Sequence, residues 1–304
     1  MKRIKNYFMD GEWYVGVKKH TDFPIEQKNK FEVLLLKNTW RYWCADPFLF
    51  EKDQVTYIFM EVYDKIKQRG FIGYRILDKN GKVSKIYPCL DIGKHMSYPF
   101  IYEENGQVYM IPECYQSNKL VVYRAKEFPN VWVEDQVLFD DVKMCDTNII
   151  EENGISYLST MKIHGMPYQY DELYLYYLEG GKWIPCKKNP VVVGGEKARN
   201  GGALFKYQDM LVRPAQNCAK SYGESLSFQR VVNISKEQYS EQEISKLYIS
   251  DVIVKNSKKK FDGIHTFNTN GKYDVVDLRI TSSIQIAHFL GIVIWKIQKI
   301  LRRK

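Results

Sequence analysis

Five stretches of the 304-residue chain superimpose without a gap: ADPFLFEKDQVTYIFME, SYPFIYEENGQVYMIPE, CDTNIIEENGISYLSTM, NGGALFKYQDMLVRPAQ and DGIHTFNTNGKYDVVDL. Each begins an apolar run at an anchor (Asp46, Tyr98, Asp146, Gly201, Gly263), turns eight positions on, and closes fifteen positions after the anchor at Glu61, Glu113, Met161, Gln216 and Leu278. The anchors recur at intervals of roughly 50 to 60 residues, the period of a blade of about four strands and not of a helical repeat. With 23 Tyr and 15 Phe favouring strands, the pattern predicts an all-β chain, a five-bladed β-propeller over residues 1–281, with a short amphipathic helix after it. GEWYVGVKK alternates like a strand and is expected to complete the last blade from the opposite terminus, in a purely structural role.

The repeat also predicts where chemistry sits. The first strand of a blade lines the channel and the second returns beside it, so an anchor and its partner fifteen residues on lie at one end of a hairpin. All five pairs then ring one mouth. Asp46, Glu61, Tyr98, Glu113, Asp146 and Gln216 gather there, joined by Arg199 and Arg213 of the fourth repeat. Carboxylates collected in an all-β core are costly unless they are used or paired. Solvated strand ends paired with the two arginines are the plainer alternative.

Asp46 in WCADPF can act as a general base on a hydroxyl, with Trp43 as a wall for a sugar face. Glu113 in MIPECY and Asp146 in CDTN are candidates for acid, base or hydroxyl-orienting roles, with Glu61 either equivalent to Glu113 or a structural partner for arginine. Arg199 and Arg213 suit an anionic donor through their fork geometry, Gly201 and Gly202 leave room for a ligand, His95 can donate to a phosphate or sugar oxygen, and Tyr222 follows a loop placed to close over the opening. No nucleotide-binding glycine fingerprint, HExxH or paired metal-ligand spacing occurs, so neither metal nor cofactor is expected.

The net charge of +9 needs a destination, and much of it lies in MKRIK, KVSK, KNSKKK and KIQKILRRK. These residues are not interleaved with a base-reading motif, which argues against nucleic acid. The segment 282–304 places Ile286, Phe289, Leu290, Val293, Ile297, Ile300 and Leu301 at helical spacing, with Gln285, His288, Lys296, Lys299 and Arg303 opposite. Its apolar core of about ten residues is too short to span a bilayer. With Trp295 and a basic end it reads as an in-plane helix on an anionic membrane surface, the alternative being packing on protein. MKRIKNYFMDGEW has no apolar signal region, and six cysteines without a CxxC pair fit reduced thiols, so a cytoplasmic location is expected.

WCADPFLF, HMSYPFIYEENGQVYMIPE, FPNVW, NGGALF and VRPAQNCAKSYG, which span about two thirds of the chain, resemble the N-terminal domain family of glucosamine inositolphosphorylceramide transferases, which also occurs as stand-alone bacterial proteins. The resemblance implies a furanosidase-like five-bladed propeller, an architecture shared with family 43 glycoside hydrolases. It places Asp46 at the general-base position of those hydrolases by motif, while Tyr98 replaces their second-blade Asp and Asp146 stands where their acid is Glu. The bacterial relatives are associated with surface polysaccharide synthesis. Together these readings predict a membrane-associated glycosyltransferase of capsule or surface-glycan biosynthesis, using an activated sugar donor and a glycan or lipid-linked acceptor. A glycoside hydrolase and a non-catalytic glycan-binding propeller are the alternatives.

Overall fold

The computed structural model describes residues 9–21, 30–164, 171–284 and 286–301. MKRIK, Gln285 and Arg303, to which the sequence pattern assigned charge or a helix face, lie outside them.

Blades one to four follow the chain. Blade one comprises Tyr42–Lys52, Val55–Asp64, Arg69–Leu77 and Tyr87–Leu90; blade two comprises Ser97–Glu104, Gln107–Glu113, Lys119–Glu127 and Val131–Asp140. Blade three is built on Met144–Glu152, Ile155–Lys162 and Glu172–Glu179, and blade four on Met210–Asn217, Ser225–Ile234 and Tyr239–Tyr248. Blade five closes the ring as the alternating N-terminal pattern predicts. Met9–Lys19 enters beside Tyr273–Ile284 and in turn pairs with Phe31–Leu35, so residues from both ends of the ring form one sheet. An edge that stood open would expose unpaired backbone groups; strand exchange between termini removes it.

The second strand of a blade is covered on both faces by neighbouring sheets, so VTYIFMEVYD reads as a nearly continuous apolar run, with Ile58, Phe59 and Met60 fully buried. Each such side chain contributes about 1.5–3 kcal/mol of transfer free energy. The inner hairpins turn on paired left-handed residues, Asp53 and Gln54, Asn105 and Gly106, Asn153 and Gly154. This is the two-residue turn whose twist matches the flanking strands.

The inner strands are laced to one another across the channel. Asn268 Nδ2 donates to the Pro47 carbonyl at 2.8 Å, the Ala203 amide to Asn268 Oδ1 at 2.7 Å, and Asn148 Nδ2 to the Gly202 carbonyl at 3.1 Å. The Tyr98 hydroxyl joins the ring by donating to Asn148 Oδ1 and accepting from the Gly202 amide, at 3.3 and 3.0 Å. A Cβ on Gly202 would come within 1.9 Å of the Phe267 carbonyl oxygen, and its φ is +146°, so the close approach of blades four and five requires glycine. The two glycines thus serve backbone packing, not the ligand clearance that the sequence suggested.

The chain leaves blade five at Ile284 and enters helix α1, Ile286–Leu301, which crosses to blade one. There the buried Ala287 and Gly291 face the loop after the second strand; a Cβ on Gly291 would lie 2.6 Å from the carbonyl oxygens of both Lys65 and Ile66. Among the described residues no helix is long and apolar enough to cross a membrane. Gly291→Val is expected to lift α1 off the blade, read as faster amide exchange over 286–301 with the propeller's melting transition nearly unmoved.

Candidate active site

Each of the first three inner strands carries a β-bulge at its anchor: the ladder jumps between Ala45 and Phe48, between Ser97 and Phe100, and between Cys145 and Asn148. Asp46, Tyr98 and Asp146 take left-handed conformations there, with φ of 47°, 43° and 50°. Such backbone costs about 1–3 kcal/mol at each non-glycine residue and concentrates at functional sites, where bulges re-aim side chains.

Asp46 is held on all sides. Its Oδ1 accepts from Thr266 Oγ1 at 2.8 Å and its Oδ2 from the Tyr98 amide at 3.2 Å, while its own amide donates to Asp277 Oδ2 at 3.0 Å. His265 stands beside it, Nε2 3.7 Å from Asp46 Oδ1, with Nδ1 2.6 Å from Asp277 Oδ2. The other Asp277 oxygen accepts the amides of His265 and Thr266 at 3.0 and 2.9 Å. Asp277 therefore orients the imidazole so that Nε2 faces Asp46. Burial pushes the Asp46 carboxyl up to about 6, helped by Asp277 and Asp146 and opposed by His265. For His265, burial works against protonation, but Asp277 and Asp46 outweigh it and the ring is held above its ordinary value.

Opposite lies a second group. Arg199 Nε is hydrogen-bonded to Asp146 Oδ2, and the guanidinium sits 5.3 Å over the Tyr222 ring. Glu113 is hydrogen-bonded to Asp146; burial first and the Asp146 charge second hold it well above the usual carboxylate range. Glu61 is raised in the same way by burial and by Asp46, Glu113 and Asp277, and its Oε1 is buried without a hydrogen-bond partner. Burial thus favours the protonated form of all three carboxyls, with Asp46 pushed up to about 6 and Glu61 and Glu113 raised well above their usual range. Environments that push the pKa values of neighbouring carboxyls apart separate base from acid.

Two triplets have ligand atoms within 4.8 Å of one another, Asp46 with His265 and Asp277, and Glu113 with Cys145 and Asp146. Each is already bridged internally, the first by the Asp277–His265 contact and the second by Arg199 on Asp146. Burial raises the Cys145 thiol well above its usual value, which keeps it uncharged. Cys44, Cys114 and Cys145 are buried, as their position beside anchors predicts.

Several sequence-predicted residues are placed elsewhere than expected. Arg213 is fully buried inside blade four, its guanidinium on Glu241 at 2.8 and 2.9 Å, on Asn200 and on the Lys197 carbonyl, so it is a structural cation and not a donor-binding one. Gln216 donates to the Asn200 carbonyl at 2.8 Å and is likewise internal. Tyr98 is fully buried with its hydroxyl in the inter-blade ring, so it positions Asp46 through its amide and does not meet a ligand through its ring. Trp43 is buried with one face stacked on Tyr63 at 4.4 Å. His95 accepts the Gly70 amide on Nδ1 at 2.9 Å and turns Nε2 toward Glu61 at 3.7 Å; burial and then Arg69 lower its pKa, so it is a neutral neighbour of Glu61 instead of a phosphate donor.

Three site residues were not singled out from the sequence: His265, Asp277 and Trp13. The fifth hairpin pairs Phe267 with Val276, two residues tighter than Phe48 with Phe59 or Phe100 with Ile111. Counting back from Phe267 as from those phenylalanines puts His265, and not Gly263, in the register of Asp46. The signal was the HTF sequence, hidden by a gapless alignment. Trp13 arrives on the closing strand, stacked on His265 with ring centroids 3.9 Å apart and met edge-on by Tyr222 at 6.0 Å. That strand is therefore part of the site as well as of the ring closure.

The fold is a five-bladed propeller with an acid-lined mouth, an architecture it shares with solved glycoside hydrolases. The catalytic domain of the Coprinopsis cinerea GH62 α-L-arabinofuranosidase superposes with a TM-score of 0.58 at 8% identity, covering 91% of this chain and 99% of that one. The Bacillus halodurans xylan β-1,4-xylosidase does so with 0.55 at 11% identity, covering 78% and 52%. At such identities the likeness is one of fold. In sequence, residues 37–286 match the family described as glucosamine inositolphosphorylceramide transferase 1, N-terminal, and the chain belongs to that family. It is 34% identical over 206 residues to glucosamine inositolphosphorylceramide transferase 1 of Arabidopsis thaliana and 32% identical over 204 to that of Oryza sativa subsp. japonica. Those matches cover 66% and 65% of this chain but 27% of each relative, so the chain spans about a quarter of their length.

Proposed function

We propose that this protein is a glycosyltransferase that moves a sugar from an activated, phosphate-bearing donor to a hydroxyl of a glycan or lipid-linked acceptor. The observation that carries this is the geometry of the mouth: Asp46 is held by the Thr266 hydroxyl and the Tyr98 amide and faced by His265, with Glu61 and Glu113 buried beside it and raised above the usual carboxylate range. Asp46 takes the acceptor proton, with His265, oriented by Asp277, favouring its ionised form, and Glu113 with Asp146 orients sugar hydroxyls. The upward shifts of Glu61 and Glu113 oppose negative charge in the cluster, which suits Arg199 and His265 to an anionic leaving group. The relatives named glucosamine inositolphosphorylceramide transferase 1 support transfer to a lipid-bound acceptor. In this reading the chain works at the inner face of the plasma membrane in capsule or surface-polysaccharide synthesis, held there by α1.

The same geometry also suits hydrolysis, with water in place of the acceptor hydroxyl. Purified protein given nucleoside-diphosphate sugars and a short-chain polyisoprenyl-linked acceptor separates the two. Transfer is expected, with a rate that falls as pH drops through about 6, where Asp46 gains its proton. Release of free sugar from a glycan panel, without transfer to acceptor, would replace the proposal with hydrolysis.

A further inference from the structure

We propose that the cleft between α1 and the rim of blade one binds the phosphate headgroup of an anionic phospholipid and fixes the mouth of the propeller against the bilayer. The inference rests on the membrane half of the proposed function and gives it a site. The cleft is about 460 Å³, with Gly291, Ile294, Trp295 and Gln298 on the helix wall and Lys67 and Arg69 on the blade wall. Lys67 lies in the turn after the second strand and Arg69 opens the third, beside Gly70, whose added Cβ would meet Glu61 Oε1 at 2.5 Å, so the cleft lies on the mouth side of the ring.

The helix presents two different faces. Ala287 and Gly291 seat it on the carbonyls of blade one. Leu290, Ile294, Ile297 and Leu301, spaced three or four apart, form one stripe that points to solvent; Leu290 and Ile294 are 41% exposed, Ile297 52% and Leu301 66%. A stripe of this size on a surface helix calls for an apolar environment. The charge beside it names that environment. Lys67 is half exposed, Lys299 lies 5.0 Å over the Trp295 ring, and Lys296 is on the same helix. Against them stands Asp91, which Arg69 holds at 2.5 and 2.9 Å and Lys67 approaches to 3.7 Å. Apolar stripe, interfacial tryptophan and net positive flank together match an anionic bilayer surface. Because α1 is seated on the blade and not on a free tether, insertion of the stripe carries the mouth to the headgroup plane.

Vesicle co-sedimentation of the full chain, without sugar donor or acceptor, tests the proposal separately from catalysis. Binding is expected to phosphatidylcholine vesicles containing phosphatidylglycerol and not to phosphatidylcholine alone, with salt-sensitive affinity. Ile294→Glu/Ile297→Glu is expected to abolish it. Lys67→Glu, on the blade and outside the helix, is expected to weaken it about tenfold or more. Unchanged binding by Lys67→Glu would show that the helix acts alone and overturn the cleft. Equal binding to neutral vesicles, or none to either, would overturn the membrane assignment and point to a protein as the occupant of the stripe. Failure of sugar transfer with vesicle binding intact would count against the catalytic reading only.

Discussion

Asp46→Asn is expected to cut sugar transfer by about 10²- to 10⁴-fold, the usual contribution of a positioned general base, while raising the melting temperature at pH 8. The first effect follows from removal of the group that accepts the hydroxyl proton. Asparagine keeps a partner for the Tyr98 amide and the Thr266 hydroxyl, so the geometry of the mouth survives. The second effect follows from linkage. The folded-state value of Asp46, about 6, stands above its ordinary 3.8, so the folded protein binds this proton more tightly than the unfolded chain. The stability this brings is fully present below pH 4 and lost as pH rises through about 6, on the order of 2–3 kcal/mol for a shift of this size. Asparagine carries no charge to desolvate, so the gain should be seen at pH 8 and shrink toward pH 4. Calorimetry across that range and a transfer assay on the same preparation check both halves. Unchanged transfer removes Asp46 from the chemistry, and a lower melting temperature at pH 8 makes it a structural residue.

Arg213→Met is expected to destabilise the propeller by about 3–5 kcal/mol, a fall in melting temperature on the order of 10 °C, with no specific effect on the mouth. Arg213 and Glu241 form a fork-like pair with no exposed surface on the arginine, and the Tyr239 hydroxyl donates to Glu241 at 2.6 Å. Removal of the guanidinium leaves the Glu241 charge buried with a single neutral donor. Replacing both members, Arg213→Met with Glu241→Leu, should recover at least half of the loss, since a buried ion pair repays little more than its own desolvation. Thermal unfolding of the two variants decides the matter. A parent-like melting temperature with lost donor binding would return Arg213 to the site.

How far the site could be read from residues alone is clear from its two halves. Asp46 and Asp146 were visible because they recur at the anchor register of a long repeat, where the bulges fall, and Glu113 because it closes the second repeat fifteen residues after its anchor. His265 and Asp277 were not, because the fifth hairpin is two residues shorter and shifts its anchor. Arg199 and Arg213 looked alike as cations of one repeat. Their strands send one guanidinium to Asp146 at the mouth and the other to Glu241 inside the blade. Which way a side chain goes depends on the bulge and on the neighbouring sheet, neither of which a spacing records.

Period, alternation and turn residues by themselves determined the number of blades, their hairpins and the use of the N-terminal strand to close the ring, because those are consequences of local backbone preference and of an apolar pattern repeated along the chain. Which carboxyls are pushed toward their protonated form, that Trp13 and His265 stack beside Asp46, and that α1 seats on blade one were decided only by tertiary structure. Desolvation, charge coupling and close packing depend on distances between residues up to the whole length of the ring apart, and these exist only once the first and last strands have met.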